Sequence, residues 1–362
     1  MGNIGTHSYA QPSNSAHAAV LVNAATGELL FSQNADDRML IASTTKIMTA
    51  MVALECCSPD EKVKIIEEYT KVEGSSIYFA AGDIYTVEEL LCGLLLASGN
   101  DAALALAYHC AGSVDDFAQM MNNKAASLGL FNTCFKNPHG LDAEGHYSSA
   151  ADLATITCEA LKNELFSEIV ASKTYNINGH SYRNHNKLLW QYDGCIGVKT
   201  GYTMAAGRSL VSCAIRDGLK LVCVTLSDPD DWNDHANLYD WAFSTFEYKS
   251  LLPLNNLWRV PVISGAVDSV GVEVAVEAGE LIRKDAKLSY KLQLPQFIYA
   301  GVKAGEVAGR VFVYLDGEEI GEYPLVYSSD VPLAENTGMT VWERIKKVWY
   351  LTNKYGFVFG SE

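Results

Sequence analysis

The feature that most constrains the fold is a long helical block enclosed between two groups of β-favouring runs. The first group, Ala18–Gln33, has a Thr-Gly turn at its centre and is typical of a β-hairpin. The second comprises Gly197–Tyr202, Arg208–Arg216 and Lys220–Leu226, with the hairpin dipeptide Asp-Gly between the last two. The sequence therefore predicts a sheet of about five antiparallel strands, with the helical block inserted after the second strand.

The inserted block contains five segments in which apolar residues repeat at helical spacing. Thr86, followed three residues later by Glu89, predicts a capping box at the start of one of them. The predicted helices span residues 44–55, 86–97, 101–110, 114–128 and 149–163, and a further helix is predicted after the last strand, over 234–248.

A second domain is indicated by a change of composition near Leu251. The chain has 362 residues, 49% of them hydrophobic, which is enough for two packed domains. Beyond Arg259, short β runs alternate with Gly and Pro turns, a pattern typical of a small all-β domain. We assign residues 1–16 to a disordered N-terminal segment, 17–252 to the catalytic domain, 258–335 to a β-rich C-terminal domain and 338–354 to an amphipathic helix.

The terminal helix carries apolar residues on one face and basic residues off it. The apolar residues are Val341, Trp342, Ile345, Val348, Trp349 and Leu351, and the basic residues are Arg344, Lys346 and Lys347. Two interpretations fit this pattern. The helix either lies on a membrane surface, as its two Trp and its local basic charge favour, or docks on the β-rich domain.

The net charge limits the partners that the protein can have, and the distribution of apolar residues limits its location. The formal net charge of −16 excludes a nucleic-acid partner, which would require a basic footprint. No apolar run is long enough to cross a membrane, and the first residues lack the basic start and apolar block of a secretory signal. If the protein is exported, we expect that its signal peptide is absent from this sequence.

The nine cysteines and the histidines do not follow metal-binding motifs. No Cys pair has C-x-x-C spacing, and most Cys lie among apolar residues, so we interpret them mainly as buried small hydrophobes. His139, His146, His180 and His185 lie in one region without helical ligand spacing such as H-E-x-x-H. We therefore expect neither a metal site nor a cofactor, and a metal hydrolase is a minor alternative.

Ser43 and Lys46 are the first candidates for chemistry. Their i, i+3 spacing at the start of an apolar helix places both side chains on one helical face. A neighbouring amine can accept the proton of a Ser hydroxyl when burial or nearby positive charge lowers the pKa of that amine. A helix cap followed by a surface Lys would give the same four residues.

Two further polar motifs follow in the chain. Ser98-Gly99-Asn100 joins two strongly apolar helices, so its polar groups must be satisfied internally or face a cleft, unless it is an ordinary turn. Lys199-Thr200-Gly201 lies on a predicted strand edge, where Gly lets a ligand backbone approach closely. Such an edge suits a peptide-like substrate with a carboxylate.

In this order and context, the three motifs resemble the set found in class A β-lactamases and penicillin-binding proteins. The chain resembles the low-molecular-weight penicillin-binding proteins, serine-type D-alanyl-D-alanine carboxypeptidases of the peptidase S11 family, over nearly its whole length from Ala18. The further motifs that carry the resemblance are Gly74-Ser75-Ser76, Asn137-Pro-His-Gly-Leu141, Asn186-Lys-Leu-Leu-Trp190 and Gly197-Val-Lys-Thr-Gly-Tyr-Thr203. Asp230–His235 resembles Gram-positive members, some of them linked to sporulation.

This resemblance implies a fold and a set of residue roles. The fold is the mixed α/β (α+β) penicillin-binding/β-lactamase-like transpeptidase fold, with a five-stranded antiparallel sheet. Ser43 is implied to be the acylated nucleophile and Lys46 its base, and the backbone N–H groups of Ser43 and Tyr202 are implied to form the oxyanion hole. Ser98 and Lys199 are implied to relay the proton, and Asn100 to orient the reacting groups. The implied substrate-binding residues are Thr200, Gly201, Tyr202 and Arg208. The segment 227–237, where some relatives carry a carboxylate-binding Arg, contains none.

The implied substrate is a peptidoglycan stem peptide that ends in D-Ala-D-Ala, and β-lactam antibiotics are expected to acylate the same Ser43. The implied location is the outer face of the cytoplasmic membrane or the cell wall, with possible peripheral membrane contact through the terminal helix. Two alternatives remain besides the metal hydrolase. One is a β-lactamase, although the β-rich domain and the absence of a recognisable deacylating Glu–Asn pair weigh against it. The other is a catalytically idle peptidoglycan-binding or scaffold protein of the same fold.

Overall fold

A computed structural model of the chain describes residues 12–252, 258–276, 278–334 and 340–355. The chain divides into two compact units between Ser244 and Thr245. The elements up to this boundary are β1 (Ala18–Asn23), β2 (Leu29–Gln33), α1 (Lys46–Cys56), β3 (Lys62–Lys64), β4 (Ile84–Thr86), α2 (Val87–Leu96), α3 (Asn100–Ala111), α4 (Val114–Ser127), α5 (Ala150–Ala160), α6 (Glu164–Ala171), β5 (Thr174–Ile177), β6 (His180–Arg183), α7 (Leu188–Gln191), β7 (Cys195–Thr203), β8 (Gly207–Arg216), β9 (Leu219–Leu226) and α8 (Asp231–Thr245).

The first unit is built on a five-stranded sheet with the strand order β2-β1-β9-β8-β7. Every neighbouring pair is antiparallel. The helical block lies between β2 and β7 in the chain, as the sequence predicted. Because β7 is an edge strand of this sheet, its outer side is available to form one wall of a cleft.

Helices cover both faces of the sheet. Val211 and Cys213 of β8 join the apolar core formed with the helical block. Ser212 lies between them and therefore points to the opposite face. There it contacts α8: its hydroxyl lies 2.6 Å from His235 Nδ1 and 2.7 Å from the Tyr239 hydroxyl. The buried sheet thus provides a rigid support for the polar residues on its edge strand.

Helix starts follow the local signals closely. The capping box is present, because the Glu89 backbone N–H donates to the Thr86 side chain and the Glu89 carboxylate accepts from the Thr86 backbone N–H. The last predicted helix is shifted: α8 spans Asp231–Thr245 rather than 234–248. The reason is that residues 246–250 form a strand, which pairs with residues 279–283.

The N-terminal segment was expected to be disordered up to residue 16. Residues 1–11 lie outside the described part of the chain. Ser15 does not fit the expectation, because its hydroxyl lies 2.6 Å from Asp234 Oδ2 and its backbone N–H donates to the same oxygen at 2.7 Å. Ser15 is therefore fixed against the start of α8, which composition alone did not indicate.

The second unit is rich in β structure. Its elements are β10 (Phe246–Ser250), β11 (Trp258–Pro261), β12 (Ser269–Val274), β13 (Gly279–Arg283), β14 (Leu288–Gln293), β15 (Val307–Leu315), β16 (Glu318–Tyr327) and α9 (Val341–Tyr355). Five strands form a sheet of order β11-β12-β16-β15-β14, and β10 pairs with β13. This arrangement confirms the predicted all-β character of the domain, and the pairing of β10 explains why the unit begins before residue 258.

The helix α9 contacts the strand region of its own unit. Lys347 Nζ lies 2.9 Å from the Asp268 carboxylate. On the other side, Trp342 and Trp349 are 71% and 72% exposed, respectively. Among the described helices, none combines the length and apolar character that crossing a bilayer requires.

Candidate active site

Ser43 and Lys46 lie together at the junction of two helical segments. Residues Ala42–Thr45 form a 3-10 turn, and Lys46 is the first residue of α1. The predicted helix over 44–55 therefore begins as a 3-10 turn, and Ser43 lies in this turn, three residues before the first residue of α1. The i, i+3 spacing still brings the side chains together, with Lys46 Nζ 2.9 Å from Ser43 Oγ.

Lys46 is fully buried and has three hydrogen-bond partners. Its Nζ lies 2.7 Å from Asn100 Oδ1 and 2.6 Å from the His139 carbonyl oxygen, besides the Ser43 hydroxyl. Burial holds the pKa of Lys46 well below its ordinary value, the positive charge of Lys199 lowers it further, and Asp101 opposes both. A Lys in this environment can exist as a neutral amine, which is the form that accepts a proton.

The carbonyl of His139 is held in place by its own loop. The Asn137 side chain accepts from the Gly140 N–H at 2.7 Å and donates to the Leu141 carbonyl at 2.9 Å. Gly140 has a φ of +87°, and a Cβ at this position would lie 1.9 Å from the Ala42 carbonyl oxygen. Only Gly allows this loop to approach the Ser43 turn so closely.

The Ser98-Gly99-Asn100 segment connects α2 and α3 beside Lys46. Ser98 and Asn100 are almost completely buried, and Ser98 adopts a left-handed backbone with φ +62°. A non-glycine residue in that conformation is strained, as is common at functional sites. Asn100 Nδ2 donates to the Glu73 carbonyl at 2.7 Å, so the amide oxygen of Asn100 is the atom that faces Lys46.

Lys199, Thr200 and Gly201 lie on the edge strand β7, next to the Ser43 turn. A Cβ on Gly201 would come within 3.2 Å of the Ser43 backbone nitrogen, which shows how closely the strand approaches the turn. Lys199 is buried, and its Nζ donates to the Thr200 carbonyl at 3.0 Å. Burial lowers the pKa of Lys199 to about 7.

These motifs meet at a cleft of about 480 Å³. Of the sequence-predicted residues, Ser43, Ser98, Thr200, Gly201, Tyr202 and Arg208 line it. Lys46, Asn100 and Lys199 lie behind the wall as buried side chains. All nine predicted site residues are therefore brought to one region, although they come from positions 43 to 208.

Arg208 lines one side of the cleft and is held there by an ion pair with Asp231. Its guanidinium contacts the Asp231 carboxylate through Nε and Nη2 and lies 5.7 Å from the centre of the Trp232 ring. Asp231 is 4% exposed, whereas Arg208 is 42% exposed. The guanidinium is thus positioned by a buried carboxylate while part of it still faces the cleft.

Four cleft residues had no assigned role at the sequence level: Ser75, His185, Asp231 and Trp232. Ser75 belongs to Gly74-Ser75-Ser76, Asp231 and Trp232 belong to 230–235, and His185 precedes Asn186-Lys-Leu-Leu-Trp190. These segments were recognised as motifs, but a single sequence does not indicate which of their side chains point into the cleft. The Asn137–Leu141 loop was also recognised as a motif. Its contact with Lys46 could not be predicted, because the loop uses the backbone carbonyl of His139, which any residue type could supply.

Two of the four histidines of the metal-hydrolase alternative, His139 and His146, have other partners. His146 Nδ1 accepts from the Lys136 N–H at 3.0 Å, so its Nε2 carries the proton towards Thr45 Oγ1, 2.8 Å away. His139 Nδ1 accepts from the Leu141 N–H at 3.2 Å. Burial lowers the pKa of His139 to about 3 and that of His146 to about 4, so both rings are neutral at pH 7. Their hydrogen bonds explain them as supports of the Ser43 turn and the adjoining loop.

A serine hydroxyl beside a buried amine, at a cleft bounded by an accessible edge strand, is the arrangement found in the class of active-serine acyl-transfer enzymes. The family model of the D-alanyl-D-alanine carboxypeptidases, peptidase S11, matches residues 6–230, and the model of the penicillin-binding protein 5 C-terminal domain matches residues 246–333. The chain therefore belongs to the D-alanyl-D-alanine carboxypeptidases of the peptidase S11 family. The family and enzyme class predicted from the motifs are confirmed, and the second match favours a carboxypeptidase over a β-lactamase.

Individual relatives agree with this assignment. The chain is 33% identical to the D-alanyl-D-alanine carboxypeptidase DacF of Bacillus subtilis, over 88% of this chain and 86% of the relative. It is 34% identical to DacA of Escherichia coli, over 89% and 85%. Among solved structures, penicillin binding protein 6B from Escherichia coli matches with a TM-score of 0.74 and 27% identity, over 90% of this chain and 99% of that chain. Penicillin binding protein 5 from Haemophilus influenzae matches with a TM-score of 0.70 and 29% identity, over 90% and 100%.

Proposed function

We propose that this protein removes the terminal D-Ala from peptidoglycan stem peptides ending in D-Ala-D-Ala, through an acyl-enzyme on Ser43. The observation that carries the proposal is the contact of Ser43 Oγ with a fully buried Lys46 amine, 2.9 Å away, at the floor of a cleft bounded by β7. The family assignment supports the reaction type, and the residue roles below are our inference from the geometry.

The partners of Lys46 favour a particular orientation of its lone pair. Asn100 Oδ1 and the His139 carbonyl can only accept hydrogen bonds, so a neutral Lys46 directs two N–H groups towards them. Ser43 is the one partner of the three that can donate. The lone pair of the amine is therefore directed at the Ser43 hydroxyl, and Lys46 takes that proton as Ser43 Oγ attacks the carbonyl of the penultimate D-Ala.

Attack converts the scissile carbonyl into a tetrahedral oxyanion. The backbone N–H groups of Ser43 and Tyr202 are the donors that we assign to it, since the strand at Gly201 lies directly against the Ser43 turn. Collapse of this intermediate breaks the C–N bond to the terminal D-Ala. The leaving amine takes up the proton removed from Ser43, which we route through Ser98 and Lys199. Water then hydrolyses the Ser43 ester and restores the free hydroxyl.

The terminal carboxylate of the substrate requires a cationic or hydroxyl partner. We assign it to the Thr200 hydroxyl and to the guanidinium of Arg208, which both line the cleft. Asp231 engages Nε and Nη2 of Arg208, so the Nη1 donors are those assigned to the substrate. In this arrangement the guanidinium comes from Arg208 on β8. Some relatives instead carry an Arg in the segment after the strand that corresponds to β9.

We further infer that β-lactams acylate Ser43, because their strained amide carbonyl occupies the position of the scissile carbonyl. The peptidoglycan that would carry this substrate lies outside the cytoplasmic membrane, so we place the enzyme at the outer face of that membrane or in the cell wall. The exposed Trp342 and Trp349 of α9 support peripheral contact with the membrane surface.

The activity is tested with a peptide ending in L-Lys-D-Ala-D-Ala and detection of released D-Ala. Wild type is expected to release D-Ala and to form one covalent penicillin adduct per chain, observed by mass spectrometry. Ser43→Ala is expected to lose both, whereas Ser127→Ala, on the surface of α4, retains both. Fast continued turnover of penicillin would instead indicate a β-lactamase, and a folded protein without adduct or D-Ala release would indicate an idle scaffold.

The membrane contact is tested separately with vesicles of phosphatidylglycerol and phosphatidylethanolamine. The full chain is expected to bind them, and a chain cut after Ala334 is expected not to bind. A Trp342→Ala/Trp349→Ala variant should lose most of the binding, whereas Tyr299→Ala, which removes a 65% exposed aromatic ring from the same unit, should not. Equal binding by full-length and truncated protein would contradict the membrane role of α9.

A further inference from the structure

A second cluster of reactive side chains lies at the far ends of α1 and α3. Cys57 caps the C-terminus of α1, and His109 and Cys110 lie in the last turn of α3. Glu61 lies in the turn that leads from α1 to β3. The proposed reaction uses none of these residues, and their sequence spacing matches no metal-binding motif. They meet because α1 and α3 pack side by side.

Three of the four side chains, those of Cys57, Glu61 and His109, offer ligand atoms close to one another, and Cys110 adjoins them through Cys57. Cys57 Sγ lies 3.4 Å from Cys110 Sγ, and His109 Nε2 lies 3.2 Å from Glu61 Oε2. One ligand atom each from Cys57, Glu61 and His109 fall within 4.8 Å of one another. A tetrahedral zinc ion with its usual bond lengths holds its ligand atoms roughly 3.3–3.8 Å apart, so small side-chain shifts would bring these groups into range.

The carboxylate of Glu61 is held by a backbone hydrogen bond in an orientation that suits a metal ligand. Its Oε1 accepts from the Ser58 backbone N–H at 2.6 Å, which leaves Oε2 directed at His109. The fixed carboxylate thus presents one oxygen to the cluster, as a monodentate ligand does. Supporting hydrogen bonds of this kind are typical of metal sites.

An ion can reach the cluster from solvent. The side chains of His109 and Glu61 are 26% and 46% exposed, while Cys57 and Cys110 are half-buried. The net charge of −16 also favours the approach of a cation. The site therefore combines two soft thiols with an imidazole and a carboxylate in an accessible but partly dry position, a donor set that suits zinc.

We propose that Cys57, Cys110, His109 and Glu61 bind a divalent zinc ion. Coordination replaces the hydrogen bond between His109 and Glu61, with the imidazole proton carried on Nδ1, and it releases the two thiol protons to solvent. The ion would join the C-terminal ends of α1 and α3. Lys46 and Asn100 begin the same two helices, so the ion would brace the helices that carry the active site while lying outside the cleft.

The proposal is tested with the tag-free, full-length, reduced protein, titrated with cobalt(II) as an optical probe for zinc. We expect a near-ultraviolet thiolate-to-cobalt charge-transfer band that saturates at one ion per chain and disappears when zinc is added. Zinc itself should raise the melting temperature. Cys57→Ser should lower the intensity of the band by about half or more, since only the Cys110 thiolate remains, and Glu61→Gln and His109→Gln should each weaken cobalt binding by about tenfold or more. Cys158→Ser, which removes a half-buried thiol from α5, serves as the control and should bind as wild type.

The outcome is decided independently of catalysis. Absence of the charge-transfer band in the reduced wild type would overturn the proposal, as would a band that persists unchanged in both Cys57→Ser and His109→Gln. A reduced protein that does not bind cobalt, and that loses two titratable thiols in air through a Cys57–Cys110 disulfide, would show a redox pair instead and would equally overturn it. D-Ala release by Ser43 is expected to be unaffected by these variants, so failure of this site leaves the proposed activity untouched.

Discussion

Asn100 Oδ1 lies 2.7 Å from Lys46 Nζ, and the amide is fixed in this orientation by the Glu73 carbonyl on its other side. The contact places a neutral acceptor beside the proposed base. A neutral acceptor orients the amine without strongly favouring its protonated form, which a carboxylate at the same place would do. The choice of Asn rather than Asp is therefore expected to set the pH range in which Lys46 can act.

Asn100→Asp tests this relationship. A carboxylate next to Lys46 should raise the pKa of the amine, so the acidic limb of the rate of acylation by penicillin should move up by roughly 1–3 pH units. At neutral pH the variant should be slow, and it should recover part of its rate at alkaline pH. The measurement is the second-order rate constant of adduct formation as a function of pH. An unchanged limb would argue that Lys46 does not provide it.

Lys46→Arg keeps a positive charge but removes the ability to become neutral near pH 7. We expect acylation of Ser43 to fall by about 10²–10⁴-fold, the usual contribution of a general base. Unlike Asn100→Asp, this variant should not recover at alkaline pH, because a guanidinium stays protonated. Lys162→Arg, at an exposed Lys paired with Glu159, is the control. A Lys46→Arg variant with wild-type kinetics would remove Lys46 from the mechanism.

Burial of the Lys199 amine, which the proposed proton relay requires, should lower the stability of the folded protein. Burial lowers the pKa of Lys199 to about 7 in the folded state, below the ordinary value of 10.5, so the unfolded chain binds more protons between these values. The stability of wild type relative to Lys199→Met should therefore rise with pH between about 7 and 10.5. Below pH 7 the full cost applies, and Lys199→Met should be the more stable protein.

Urea unfolding of both proteins at pH 6, 8 and 10 measures this difference. We expect the advantage of Lys199→Met to be largest at pH 6 and to shrink at each step towards pH 10, while release of D-Ala is lost throughout. A stability difference that is independent of pH would show that Lys199 titrates alike in the folded and unfolded states.

Gly140→Ala should destabilise the protein through a steric contact and not only through backbone strain. The added Cβ would meet the Ala42 carbonyl oxygen at 1.9 Å, which forces the Asn137–Leu141 loop away from the Ser43 turn. Gly145→Ala is a matched control, since it has a similar φ of +78° but its Cβ meets only the flexible end of Lys136, at 3.1 Å. We expect Gly140→Ala to cost about 1–3 kcal/mol more than Gly145→Ala in urea unfolding, and to slow acylation as well. Equal costs would contradict the close approach.

The sequence predicted much of the fold because its signals are local. The Asp217-Gly218 turn, the Thr86–Glu89 capping box and the apolar periods of the helices each fix neighbouring residues. The three site motifs were predictable because their order along the chain is distinctive. The Arg208–Asp231 ion pair could not be predicted from the sequence, because its residues lie on β8 and α8 and meet only through packing of the whole unit. The same holds for the cluster at Cys57 and His109.

The Arg208–Asp231 pair leads to a prediction about substrate selection. If Arg208 binds the terminal carboxylate, Arg208→Gln should lower kcat/KM by about 10–100-fold for a peptide that ends in a free D-Ala, as expected for loss of a charge-assisted hydrogen bond. A peptide whose last D-Ala is amidated should be turned over equally slowly by wild type and variant. Arg208→Gln alone also leaves the buried Asp231 unpaired, which should reduce stability.

The double variant Arg208→Gln/Asp231→Asn separates the two effects. Replacing the carboxylate by an amide removes the unpaired buried charge, so the melting temperature should return towards wild type. The preference for a free carboxylate should stay lost, because no guanidinium is present to recognise it. If the double variant regains both stability and that preference, Arg208 acts only as the partner of Asp231, and the carboxylate must be held by Thr200 and the remaining cleft residues.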